Sequence, residues 1–87
     1  SNLPPPPLTV SNDNSPINVN WSNSKSADAF QWVLYTRYDN EWQVEILPKN
    51  QLTKSVARSK NGKNCNTVAL KAIDRLGNES YYAAKKI

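Results

Sequence analysis

The chain has 87 residues, a hydrophobic fraction of 38% that includes three Trp and four Tyr, and a formal net charge of +4. At this length it forms one domain that buries only about 60–65% of the surface its unfolded chain exposes, so a deep catalytic cavity would compete with the core for the same few apolar residues. The absence of His removes the commonest general base and metal ligand, and the single Cys65 excludes an internal disulfide and any multi-cysteine zinc site.

The charge is unevenly laid out. Up to Pro48 two basic residues face five acidic ones, whereas from Lys49 onward nine basic face two acidic. The nine are spaced singly along the chain, with no accompanying nucleic-acid-binding motif, which argues against a nucleic-acid footprint. No apolar run is long enough to span a bilayer, so membrane insertion is not expected. Ser1-Asn2 reads as the remnant of a cleaved tag, and the chain is therefore expected to be cut from a longer protein whose export signal lies elsewhere.

"LPPPPL", residues 3–8, is a stiff extended stretch, and residues 1–7 are expected as a proline-rich linker ahead of a domain over 8–87. The period of two in "PINVNWS" turns Ile17, Val19 and Trp21 inward. In "AFQWVLYTRY", Phe30, Trp32, Leu34 and Thr36 alternate against Gln31, Val33, Tyr35 and Arg37. After the turn residues 39–41, "WQVEILP" predicts Trp42, Val44 and Ile46 inward with Gln43 and Glu45 outward, and Pro48 ends the strand. Asn61-Gly62 is a tight-turn signal, and "TVALKAI" points Val68, Leu70 and Ala72 to one side. "DRLGNES" is expected as the loop before a last strand, with Gly77 at positive φ, Asn78 as a local cap and Asp74 and Arg75 satisfying the loop internally. Strands are thus predicted over 8–11, 17–22, 30–38, 42–47, 55–59, 67–73 and 81–86, with no helix: an all-β, seven-stranded antiparallel sandwich of immunoglobulin-like form.

On those residues the chain resembles a fibronectin type III domain. The resemblance rests on the proline-rich lead-in, Trp21 ending the second strand, Trp32 and Leu34 in the third, and "ALKAIDRLGNES", where Ala72, Ile73, Asp74, Gly77 and Ser80 match the family's ending of the sixth strand and the loop behind it. One position departs: Asn66 stands where the family usually carries a corner tyrosine, so the Asn61-Gly62 turn is expected to hold that corner instead. More narrowly, "W…AFQWVLYTRYDNEW…ALKAIDRLGNES" is similar to the module that follows the catalytic barrel in bacterial extracellular glycoside-hydrolase-like proteins, many of them lipoproteins.

Function is read from what could carry chemistry. Glu41 and Glu45, the acids closest to a glycosidase pair, are expected as solvated surface groups, and Cys65 as a small residue beside a strand. No catalytic residue, cofactor or metal ligand is therefore assigned. The sharper possibility is an exposed aromatic platform of Tyr38, Trp42, Tyr81 and Tyr82, since sugars lay their C–H faces on such rings and neighbouring domains pack on them. The resemblance implies a non-catalytic spacer or accessory module of a secreted or surface bacterial protein, monomeric and adjoining a catalytic domain of the same chain. The alternative expectation is a module binding carbohydrate or protein through the exposed aromatics.

Overall fold

The computed structural model describes residues 3–13, 16–24 and 28–87. The expected tag remnant, Ser1-Asn2, and residues 14–15 and 25–27 lie outside the described residues. Eight strands follow in order: β1 (Leu8–Ser11), β2 (Ile17–Trp21), β3 (Gln31–Tyr38), β4 (Glu41–Pro48), β5 (Thr53–Val56), β6 (Ser59–Lys60), β7 (Lys63–Ile73) and β8 (Ala83–Lys86), with no helix among the described residues. The strand beyond the seven expected is the two-residue β6. It forms a hairpin with the start of β7 through Asn61 (φ 51°) and Gly62 (φ 77°), the pair of positive values that a tight hairpin turn of matching twist requires.

The strands make two antiparallel sheets. β1-β2-β5 is the smaller; in the larger, β4-β3-β7 run side by side and both β6 and β8 pair with β7. The chain changes sheet between β2 and β3 and again on either side of β5. One core cluster draws on both layers: Leu8, Ile17, Val19, Trp21 and Val56 from the smaller sheet meet Trp32, Leu34, Tyr38, Val68, Leu70 and Ala72 from the larger. The Trp21 and Trp32 rings cross edge to face at 6.2 Å, the arrangement their quadrupoles favour. Two layers around one core are consistent with a β-sandwich, and the expected inward residues of β2 and β7 are buried in it, while Ala69, on the opposite face of β7, is buried as well. Phe30 departs from its expected grouping with Trp32; it precedes β3, lies exposed, and has the Arg75 guanidinium 5.1 Å from its ring.

β4 reverses the expected parity. Trp42, Val44 and Ile46 are 50%, 59% and 65% exposed, whereas Leu47 opposite Trp32 is 3% exposed and belongs to the core. The register leaves no choice: Leu34 and Thr36 face the core, and their partners Glu45 and Gln43 share that side. Those polar groups find partners on the flank of the sandwich, where Glu45 pairs with Lys54 at 3.1 Å, Gln43 accepts from Lys60 at 2.7 Å and Glu41 pairs with Lys63. The acidic first half of the chain therefore meets the basic second half along one edge.

The corners are closed by side chains. Tyr38, expected on an exposed platform, is instead 2% exposed, and its hydroxyl donates to the Ala57 carbonyl at 2.6 Å, tying the end of β3 to the segment leaving β5. Asn66 donates through Nδ2 to the Asp39 carbonyl and occupies the bulge where β7 slips against Arg37 and Tyr38 of β3. In the loop after β7, Asp74 Oδ1 accepts from the backbone N–H groups of Leu76 and Asn78, and Gly77 takes φ 85°. The carboxyl of Asp74 is held below the usual aspartate range, chiefly by the Asn78 side-chain amide. Ser80 is buried and accepts from Ala72 N–H through Oγ while donating to the Tyr81 carbonyl, each at 2.8 Å. The proline stretch expected as a spacer lies against the body: Leu3 N–H donates to the Glu79 carbonyl at 3.0 Å, and the Leu3 carbonyl accepts from Tyr81 N–H at 2.9 Å.

These placements sort the aromatics by their effect on stability. Trp32→Ala is expected to destabilise by about 3–5 kcal/mol through cavity formation, and Tyr38→Phe by about 1–2 kcal/mol through the orphaned Ala57 carbonyl. Trp42→Ala, on the exposed face, is expected to change stability by under about 1 kcal/mol. Urea midpoints of the three variants check the order, and a Trp42 cost matching that of Trp32 would show that β4 faces the core after all.

Candidate functional site

The outer face of the larger sheet can be read as a grid, because paired residues in adjacent strands stand beside each other on the same side. One row runs Ile46, Val33, Lys71 across β4, β3 and β7; the next runs Val44, Tyr35, Ala69, Ala84; the third runs Trp42, Arg37, Thr67, Lys86. Tyr82, just before β8, completes the first row and is 54% exposed. Its ring lies 5.3 Å from that of Tyr35, and Tyr35 in turn lies 6.4 Å from Trp42, both pairs edge to face. Between these rings is an open cleft floored by the small side chains of Thr67, Ala69 and Ala84 and bordered by Val44.

Cations border the cleft. The Arg37 guanidinium sits 5.8 Å from the Trp42 ring; Nη2 donates to Asn40 Oδ1 at 3.0 Å, while Nε is buried without a hydrogen-bond partner among the described residues. The Lys71 ammonium sits 5.7 Å from the Tyr35 ring and 5.3 Å from the Tyr82 ring and pairs with Glu79. That hydrogen bond to Glu79, with help from the Tyr35 hydroxyl, holds the Lys71 pKa well above the usual lysine value. Burial, and then the hydrogen bond with Tyr82, push the Tyr35 phenol above the usual tyrosine value despite the opposing pull of Lys71.

Of the four aromatics singled out from the sequence, Trp42 and Tyr82 belong to this face. Tyr38 lies in the core, and Tyr81 is exposed but outside the ring cluster formed by Tyr35, Trp42 and Tyr82. Tyr35 was the missing member. Its parity signal was available: it alternates with Trp32 and Leu34 and so must stand on the outer side with Val33. Glu41 and Glu45 are each engaged by a lysine on the opposite side of β4. Cys65 is buried, its thiol pushed up by burial, and donates to the Thr67 carbonyl at 3.7 Å. No group of His, Cys, Asp and Glu suited to a metal ion occurs among the described residues. Compared with known proteins, the chain matches no family model and no curated relative.

The Tyr35 environment gives a titration signature. A phenol whose folded-state pKa is raised contributes stability that is full below the unfolded tyrosine value and is lost as pH rises through the folded one. Phenolate absorbance is expected to show Tyr35 and Tyr38 ionising later than free tyrosine, Tyr38 because of burial. Tyr35→Phe should remove one late phenol and leave the other; loss of an early phenol instead would contradict the arrangement of Tyr35 against Tyr82.

Proposed function

We propose that the chain is a non-catalytic accessory module, of fibronectin type III kind, within a secreted or surface bacterial protein that acts on polysaccharide, and that it works by contact through the outer face of its larger sheet. The observation that carries this is the reversed β4: Trp42, Val44 and Ile46 are turned to solvent while Gln43 and Glu45 point to the core side. Full burial of one such side chain is worth about 1.5–3 kcal/mol, and exposed ion pairs return only about 0–1 kcal/mol each. A contiguous apolar face left open at that cost is characteristic of an interaction surface.

Three further features support the fibronectin-like reading. The chain leaves the smaller sheet after β2 and returns to it for β5 alone, a division of strands like that of immunoglobulin-like sandwiches. Gly77 takes a positive φ, and Ser80 plugs the loop end onto Ala72. The acids that would be needed for glycosidic hydrolysis are committed to lysines, which favours a supporting role beside a catalytic domain.

The isolated chain is expected to hydrolyse no glycan. In the parent protein, the double substitution Trp42→Ser, Ile46→Ser is expected to lower turnover on polymeric substrate several-fold without altering the melting of this module. Unchanged turnover with that double variant, or hydrolysis by the repurified chain that disappears with Glu45→Gln, would overturn the reading.

A further inference from the structure

The same face carries a chemical signature of what it contacts. In the row Trp42, Arg37, Thr67, Lys86 an indole is followed by a cation, a hydroxyl and a second cation, spaced by adjacent strands roughly 4.8 Å apart. None of the residues in the three rows is a carboxylate, and the nearby Glu79 is committed to Lys71. Arg37 presents its guanidinium beside the Trp42 ring, with Nη2 in an exposed hydrogen bond to Asn40. The face is thus apolar at its centre, positively charged along one side, and complementary to an anion.

The shape narrows the class. The cleft is floored by Thr67, Ala69 and Ala84 and walled by three rings set at 84° and 71° to one another, so it offers ring faces and ring edges around a space for a small cyclic unit. Polar groups border it as well: the Tyr35 and Tyr82 phenols, with the Lys71 ammonium 5.7 and 5.3 Å from their rings, and Thr67 on the floor. Apolar walls with a few converging polar groups suit a ligand that presents C–H faces and many hydroxyls at once.

We infer that this face binds an anionic polysaccharide, one sugar ring seated in the Tyr35, Trp42 and Tyr82 cleft and the flanking carboxylates or sulfates meeting Arg37 and Lys86. The inference rests on the accessory-module reading and names the ligand of its contact face.

The test uses the isolated chain with polygalacturonate, dextran sulfate, a neutral β-glucan and polyglutamate, followed by amide NMR shifts and tryptophan emission. Because Trp21 and Trp32 are buried, an emission change reports Trp42. Polygalacturonate or dextran sulfate is expected to shift the amides of Arg37, Trp42, Thr67 and Lys86, and the arm that binds more tightly identifies the anion as carboxylate or sulfate. Binding should weaken about tenfold in Trp42→Ala, the scale of one aromatic contact, and Lys86→Gln should weaken it and flatten its salt dependence. Equal binding of the neutral glucan would overturn the anionic ligand. Anion binding indifferent to Trp42→Ala would reduce the face to a cation exchanger and overturn the sugar site. Polyglutamate binding as tightly, with the same shifts, would reassign the face to an acidic protein segment. Absence of binding in every arm would overturn the inference, while the accessory reading would still stand or fall on the parent protein's turnover.

Discussion

The alternation of side chains along β4, fixed by its pairing to β3, is the constraint from which the rest of the molecule's surface follows. β3 commits Trp32, Leu34, Thr36 and Tyr38 to the interior, and a strand paired in register has no freedom to turn its own residues independently. β4 therefore sends Leu47 into the core and Gln43 and Glu45 toward the flank, where the smaller sheet ends at β5. A slip by one residue would turn Trp42, Val44 and Ile46 toward the core, but it would expel Leu47 from it and carry Gln43 and Glu45 away from their lysines. The lysines of β5, β6 and β7 meet Glu45, Gln43 and Glu41 in turn on that flank, where all three stay exposed.

This arrangement explains the charge asymmetry without a nucleic acid. Part of the excess of acids before Pro48 and of bases after it is neutralised internally, across the edge where β4 approaches β5 and β6. The positive charge that remains on the outer face is local, carried by Arg37 and Lys86 beside Trp42. Net charge and useful charge are thus different quantities in this chain, and only the residues sharing a face with the rings bear on recognition.

Much of the fold was legible because the relevant residues alternate against polar neighbours. Ile17, Val19 and Trp21 could face only one way, and Asn61-Gly62 and Gly77 marked backbone that other residues rarely adopt. The parity of β4 was not legible in this way. Trp42, Val44 and Ile46 alternate with polar residues identically whether they face a core or a partner, and the sequence pattern carries no term for the lysines that reward the reversed choice. For Tyr38 the signal existed, since it shares the parity of Trp32. What the pattern lacked was its acceptor, the Ala57 carbonyl, brought near only by the fold. The site is legible by residue type and incomplete by position: Trp42 and Tyr82 stand out as aromatics, and Tyr35 is placed on the outer side by its alternation with Trp32 and Leu34, but nothing in the pattern brings it beside them.

Among the described residues β4 is also the margin of the larger sheet, eight residues long, with no strand on its other side. An edge of that length flanked by Trp, Val and Ile would ordinarily template another strand and seed fibrillar growth. Here Glu41, Gln43 and Glu45 project on the core side and are bridged to Lys63, Lys60 and Lys54. A strand added alongside would have to carry its own inward side chains past that charged row, which opposes continuation of the sheet. The clasps thereby separate two hazards that usually travel together: the face can remain sticky toward a ligand while the margin beside it resists self-association.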